Sequence, residues 1–224
     1  MPVENEESLT PEQHAEFTSA LSTLTPLAEG GDSMAQYFLG EMYHEGHGVD
    51  CDYEAAFKWF EEASGQGHAG AQKRLGDMYS RGRNVDQCHE NAGKWYRLSA
   101  EQGDPKAQHN LAVMYRDGKG VEQDSRQAIK WAKRAARQGL ERSQCLLGDL
   151  YYLTEESSRN HIHAFIWWSI AASQGSEDGL ARATELEPEL EGNELEIAEK
   201  VALEEVAAIY GTSEPNTDEV PDLH

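Results

Sequence analysis

A period of 36 residues runs through the middle of this chain and constrains its fold more than any other feature. Five unrelated residue types keep that spacing, which coincidence does not explain. The five series are Trp59, Trp95, Trp131 and Trp167; Leu39, Leu75, Leu111 and Leu147; Tyr43, Tyr79, Tyr115 and Tyr151; Gln66, Gln102, Gln138 and Gln174; and Gly67, Gly103, Gly139 and Gly175. A period of about 20 to 50 residues is typical of stacked repeats, in which each unit buries its apolar face against its neighbours.

Each repeat predicts two helices. In the unit that begins at Ala71, a first stretch places Ala71, Leu75 and Met78 on one helical face. The following RGRNVD supplies a Gly and an Asn, which suit the positive φ found where helices end. A second stretch places Ala92 and Trp95 on one face and ends at a Gln-Gly pair. No segment shows the period-two alternation of a half-buried strand.

Small residues recur beside the large ones. A Gly or Ala follows each periodic Leu, at Gly40, Gly76, Ala112 and Gly148. Gly inside a helix costs about 1 kcal/mol relative to Ala, so a neighbouring helix is expected to approach the backbone closely there. An Ala also lies one turn before each periodic Trp and leaves room for a facing ring, at Ala56, Ala92, Ala128 and Ala164.

The pattern AQxxLGxMYxxGxGVxxDxxxAxxWxxxAAxQG resembles the Sel-one-like repeat (SLR) family, relatives of the tetratricopeptide repeats. The resemblance implies an all-α fold, a right-handed α/α superhelical solenoid of helix-turn-helix repeats that serves protein–protein contact. Four repeats follow from it, at 35–70, 71–106, 107–142 and 143–178. The fourth departs from the pattern, because TEESSRN replaces its GxGVxxD loop.

The flanks are expected to cap the array, because the end of a repeat stack otherwise exposes an apolar face. Residues 1–34 are an acidic N-terminal segment with a capping helix that begins at Thr10 and Pro11 and that Pro26 is expected to end. Residues 179–210 predict C-terminal capping helices, and residues 211–224 predict a disordered acidic tail.

The net charge of −22 lies mainly in these flanks. Residues 1–34 carry −7, residues 35–179 only −4, and residues 180–224 carry −11. Acidic ends disfavour nucleic acid and anionic membranes, whereas a basic protein partner suits them. Improved solubility is the alternative reason for such flanks.

The sequence gives little support for disulfides, membrane segments, catalysis or metal binding. Three cysteines at irregular spacing predict no disulfide framework, and the sequence has neither a secretory signal nor an apolar stretch of about 20 residues. We expect a soluble cytoplasmic protein that is not an enzyme and has no cofactor. The His44–His47 spacing can chelate a metal, but no nearby ligand completes a recognisable site, so no metal is expected.

The candidate partner-binding residues lie opposite the apolar face of the first helix of each repeat, where the repeats differ most. In this class of superhelix the first helices line the concave side, so the resemblance makes this stripe a groove. Free drift of an exposed face is the alternative interpretation. The stripe comprises Tyr37, Glu41, His44, Lys73, Asp77, Ser80, His109, Val113, Arg116, Cys145, Asp149 and Tyr152.

Within the stripe, Tyr37 and Tyr152 are the favoured anchors, since aromatic residues give large contact area at low entropic cost. Outside it, the invariant Gln36, Gln72, Gln108 and Gln144 are expected to bridge backbone groups of an adjacent helix. Trp168, which replaces Phe60, Tyr96 and Ala132 of the other repeats, is expected to pack, with partial exposure as the alternative.

The function predicted from these observations is a non-catalytic scaffold or adaptor that binds a peptide or protein surface in the concave groove. The alternative is an acidic inhibitor or immunity-type regulator of a basic protein.

Overall fold

The computed structural model describes residues 10–154, 158–190 and 192–210, and each regular element within them is helical. The helices are α1 (Pro11–Glu29), α2 (Ser33–Glu45), α3 (Tyr53–Gly65), α4 (Ala69–Arg81), α5 (His89–Glu101), α6 (Pro105–Asp117), α7 (Ser125–Arg137), α8 (Glu141–Thr154), α9 (Ser158–Ser173), α10 (Glu177–Leu186) and α11 (Glu194–Tyr210). A short 3₁₀ helix, Glu187–Glu189, follows α10. The predicted all-α fold is confirmed, while the predicted tail, residues 211–224, lies outside the described residues.

The chain divides into two compact units, residues 1–102 and residues 103–224. In the first unit α2 pairs with α3 and α4 with α5, while α1 packs on α2 and α3 packs on α4. In the second unit α6 pairs with α7 and α8 with α9, while α7 packs on α8 and α9 contacts both α10 and α11. Each pair is a helical hairpin that occupies one period of the sequence.

Local signals set the ends of these helices. The carboxylate of Asp32 accepts the backbone N–H of Ala35 at 2.8 Å, and thereby caps the N-terminus of α2. In the loop after α4, Gly82 and Asn84 have φ angles of 66° and 61°, which confirms the predicted positive φ. Asn84 stands where the other two loops of this type have glycine, and Asn tolerates this region better than most residues.

The periodic leucines form the centre of each hairpin. All four are at most 1% exposed: Leu39, Leu75, Leu111 and Leu147. The periodic tryptophans are less uniform, since Trp131 and Trp167 are buried whereas Trp59 and Trp95 are half-buried. Trp168 is 4% exposed, so the alternative of partial exposure is wrong for this residue.

The mid-helix glycines are where the two helices of a hairpin meet. A Cβ on Gly76 would lie 2.6 Å from the ring of Tyr96, far inside van der Waals contact. A Cβ on Gly40 would overlap Phe60, and one on Gly148 would overlap Trp168, in the same way. The predicted close approach is therefore confirmed, and the approaching group is an aromatic ring of the same repeat.

The two periodic glutamine series bond to each other. In each repeat the side-chain N–H of the second series donates to the side-chain oxygen of the first, in the pairs Gln66–Gln36 (2.7 Å), Gln102–Gln72 (2.7 Å), Gln138–Gln108 (2.9 Å) and Gln174–Gln144. Gln36, Gln72 and Gln144 also donate to a backbone carbonyl eight residues earlier, which confirms their structural role. This clamp ties the end of the second helix to the start of the first.

The prediction that Pro26 ends the first helix is wrong, because α1 continues to Glu29. Pro26 occupies the last turn of α1, where few hydrogen bonds remain to be lost. Two residues further on, Ala28 is 1% exposed and joins a cluster with Leu21 and Leu24. Burial of this apolar face offsets the missing N–H.

The fourth hairpin departs from the period, as its sequence does. By the spacing of the other repeats its second helix would begin at His161, but α9 begins at Ser158. The TEESSRN stretch that replaces the glycine loop lies partly outside the described residues.

We expect Gly76→Ala to lower the free energy of unfolding by about 1–3 kcal/mol, because the new methyl group overpacks against Tyr96. An exposed helical site gives the matched control: Gly65→Ala, with nothing within 4 Å of its Cβ, should stabilise slightly. In a Tyr96→Ala background, Gly76→Ala should no longer destabilise. Chemical denaturation followed by circular dichroism measures the free energy of unfolding of the four variants. If Gly76→Ala destabilises the Tyr96→Ala protein as much as it destabilises the parent chain, the contact is contradicted.

Candidate binding site

The stripe residues of the first unit are mostly engaged within the unit. Tyr37 is half-buried, and its ring stacks on His68 with centroids 4.6 Å apart. Burial, followed by the charge of Glu41, raises the pKa of Tyr37. Tyr37 is thus part of the packing between α2 and the turn before α4, unlike the free anchor that the sequence suggests.

A carboxylate–guanidinium pair joins consecutive first helices. Glu41 on α2 accepts two hydrogen bonds from Arg74 on α4, and both side chains are about four-fifths buried. Burial disfavours the charged guanidinium, but the hydrogen bonds and charge of Glu41 outweigh it and raise the pKa of Arg74. A bidentate pair of this kind holds the two helices in register.

A second network forms between α4 and α5. The carboxylate of Asp77 binds the Lys73 ammonium at 3.1 Å and accepts the Tyr96 hydroxyl at 2.8 Å. The same hydroxyl lies 3.3 Å from the hydroxyl of Ser80. Burial and the charge of Asp77 raise the pKa of Tyr96, so the hydroxyl remains a donor.

His44 is buried, with 6% of its surface exposed. Its Nδ1 lies 2.8 Å from a carboxylate oxygen of Glu45, and its Nε2 lies 3.2 Å from Arg83. The ring of Tyr53 packs edge-on against it. His44 is therefore enclosed by its neighbours and offers little surface to a partner.

Four stripe residues of the second unit are likewise partly buried: His109, Val113, Arg116 and Cys145. His109 Nδ1 lies 2.9 Å from the Ser143 hydroxyl, Arg116 donates to Asp117 at 2.7 Å, and Val113 is half-buried. Burial, with the charges of two arginines, lowers the pKa of His109. The thiol of Cys145 lies 3.4 Å from the Ser176 hydroxyl, and burial raises its pKa, which disfavours the reactive thiolate.

Asp149 repeats the role of Glu41 at the other end of the sequence. It pairs with Arg182 on α10, 33 residues later, as Glu41 pairs with Arg74. It also accepts the indole N–H of Trp168 at 3.1 Å. The guanidinium of Arg182 in turn lies over the Trp168 ring, 5.9 Å from its centroid.

Beside this network a cavity of about 350 Å³ opens between α8, α9, α10 and the 3₁₀ helix. Its lining comprises Asp149, Tyr152, Leu153, Trp168, Arg182, Glu185, Leu186 and Glu189. Tyr152 is 43% exposed and Leu153 is 73% exposed, so both present apolar surface at the cavity. The Tyr152 ring is supported by packing, since it stacks on His161 with centroids 5.3 Å apart.

The structure therefore separates the twelve candidates into two groups. Eleven are buried or half-buried, and Tyr152 alone is exposed. Sequence reasoning missed Leu153, Glu185 and Glu189, and it missed the arginines at 74 and 182. Two acid–arginine pairs at a spacing of 33 residues were a signal in the sequence for the last two.

Other cavities and possible metal ligands among the described residues can be compared with the stripe. Cavities of about 380 Å³ beside Trp59 and about 370 Å³ between α9 and α11 contain no stripe residue. Within the described residues no three His, Cys, Asp or Glu side chains are grouped as a metal would need, and the three cysteines are free. No described helix has the length and apolar character needed to cross a membrane.

Paired helices at a fixed period, with a glycine–aromatic contact and a glutamine clamp in each hairpin, define a tandem helical-repeat protein. The model of the Sel1 repeat matches residues 33–68, 69–104, 105–140 and 142–176. The chain belongs to the Sel1 repeat family, whose members generally serve as protein-interaction scaffolds.

Solved structures support the same fold. A Sel1 repeat protein from Oxalobacter formigenes is 36% identical over 58% of this chain and 97% of its own, with a TM-score of 0.54. A protective antigen of uropathogenic Escherichia coli, which displays an SLR fold, is 24% identical over 89% of this chain, with a TM-score of 0.52. This chain spans about half (52%) of that antigen's length. None of the curated proteins compared with the chain matches it.

A double-mutant cycle on Glu41→Ala and Arg74→Ala should give a coupling energy of about 1–2 kcal/mol, because the pair is bidentate and largely shielded from water. The exposed pair Glu54–Lys58 is the matched control, for which we expect a clearly smaller coupling because solvent screens the two charges. Denaturant unfolding of the parent chain and the six variants measures both couplings. Equal couplings would show that the first pair does not hold the helices in register.

Proposed function

We propose that this chain is a non-catalytic interaction scaffold that binds a peptide or protein surface along its first-helix stripe, with the principal anchor at the cavity beside Tyr152. The observation that carries the proposal is the contrast within the stripe. Eleven members are at most half-exposed, whereas Tyr152 is exposed next to a cavity.

The cavity has the physical character of an anchor site. Tyr152 and Leu153 offer apolar area that a partner can cover, and tyrosine is one of the residue types enriched at hot spots of binding energy. Its floor includes Trp168 and Leu186, which are 4% and 3% exposed and therefore held by packing. A partner would thus meet preformed walls, and little binding energy would be lost to ordering them.

The buried stripe residues contribute to the proposed function in a different way. Glu41–Arg74 and Asp149–Arg182 hold consecutive first helices together within each unit. Rigid helices position an anchor residue more accurately than a loop does. Tyr37 is assigned to this supporting set and not to the anchor.

The test uses a random twelve-residue peptide library displayed on phage, selected on the full chain. We expect enriched peptides whose affinity falls about tenfold or more with Tyr152→Ala, since the loss of an aromatic anchor exceeds about 1.4 kcal/mol. Leu180→Ala is the matched control, because Leu180 is 59% exposed on α10 but does not line the cavity. Fluorescence anisotropy measures the affinities, and circular dichroism checks that both variants melt like the parent chain.

Either of two results would contradict the proposal: peptides that bind Tyr152→Ala as tightly as the parent chain, or a selection that enriches nothing. The inhibitor alternative gives a different pattern. The charge of −11 in residues 180–224 favours a partner held mainly by long-range attraction. Affinity for such a partner should fall steeply as salt is raised, whereas affinity for a pocket-held peptide should fall much less.

A further inference from the structure

We propose that the cavity beside Tyr152 binds the side chain of an arginine from the partner. This inference rests on the proposed function and specifies the chemistry that the anchor site recognises. It draws on the charges of the lining, the exposed aromatic ring and the size of the cavity.

Some charged side chains of the cavity lining have an oppositely charged partner and others do not. Asp149 and Arg182 neutralise each other, and Asp149 is further occupied by the indole N–H of Trp168. The side-chain carboxylate of Glu185 makes no ion pair or hydrogen bond with any other described residue. The carboxylate of Glu189 lies 3.9 Å from Nδ1 of His161. Two glutamates therefore leave the lining with a net charge of −2, so a cation is favoured and an anion is repelled.

The aromatic wall favours a guanidinium over a compact ammonium. A guanidinium is planar, stacks on aromatic rings and presents several N–H groups to carboxylates, whereas an ammonium is a strongly hydrated point charge. The chain already uses this combination next to the cavity, where Arg182 lies over Trp168 and pairs with Asp149. Tyr152 with Glu185 and Glu189 offers a second aromatic ring and second carboxylates on the same cavity.

The size and apolar parts of the cavity suit one long side chain. Its volume of about 350 Å³ is at the lower end of ordinary ligand sites, which span about 300–1,000 Å³. The exposed surface of Leu153 can cover the methylene groups of an arginine, as apolar surface commonly does for long basic side chains. A segment of a basic partner would therefore insert a single arginine here.

The test is direct binding of a small probe to the full chain. A Gly-Arg-Gly tripeptide blocked at both ends is titrated while the indole N–H signal of Trp168 and the backbone amides of residues 149–189 are followed by NMR. We expect saturable shifts confined to this region. The equivalent lysine tripeptide should bind a few-fold more weakly, and the citrulline and glutamate tripeptides at least about tenfold more weakly, because they lack the positive charge.

Variants of Glu185 and Glu189 test whether these two carboxylates contact the arginine of the probe. Glu185→Gln with Glu189→Gln should weaken the arginine tripeptide about threefold to tenfold, as expected for two partly exposed ion pairs, and leave the citrulline tripeptide unchanged. Glu187→Gln is the matched control, because Glu187 lies in the same 3₁₀ helix and is exposed but does not line the cavity. It should change the affinity by less than about twofold.

Absence of saturable shifts, equal binding of citrulline or glutamate, or an equal effect of Glu187→Gln would each overturn the inference. The outcome is separable from that of the proposed function. Selected peptides that depend on Tyr152 but contain no required arginine would refute the arginine site and leave the scaffold proposal standing. If the arginine tripeptide binds but the library yields no peptide, the arginine site stands and the scaffold proposal is contradicted.

Discussion

The fold depends on how closely the two helices of each hairpin can approach, and a small residue opposite a ring sets that distance. Gly76 faces Tyr96, and the same pairing recurs in the first and fourth repeats. The third repeat has Ala112 and Ala132 at the equivalent positions, so the volume missing from the second helix is partly restored on the first. The periodic leucines nevertheless remain fully buried in all four hairpins.

The ring in that contact also determines which polar residue the neighbouring stripe position can hold. Tyr96 donates to Asp77 and Trp168 donates to Asp149, so an aspartate is stabilised where the ring carries a donor. Phe60 has no donor, and the first repeat instead carries Glu41, whose longer side chain reaches Arg74. In the third repeat, where the ring is replaced by alanine, the equivalent stripe residue is the apolar Val113. Variation along the stripe therefore largely follows the packing of each hairpin.

This coupling explains what the sequence could and could not predict. Periodicity identifies the helices, the leucine core and the glycine contact because each depends on spacing within one helix or one hairpin. Exposure of the stripe was predicted from a single helix, in which residues opposite the core face water. A single helix does not include its neighbours: the next first helix contributes Arg74, which covers Glu41, and the loop after that helix contributes Arg83, which covers His44. Contacts between residues more than 30 positions apart require the fold itself.

The candidate site lies where the repeat departs from its period. By the spacing of the other first helices, α10 would run from residue 177 to residue 189, but it ends at Leu186. Pro188 cannot donate a helical hydrogen bond, and the chain continues as the 3₁₀ helix Glu187–Glu189. A shortened helix covers less of its neighbour, so Tyr152 is exposed although His44, its equivalent in the first repeat, is buried. Glu185 of α10 and Glu189 of the 3₁₀ helix both line the cavity beside it. Irregularity in a repeat protein is thus a physical route to a specific site, because the regular positions are already occupied by contacts between helices.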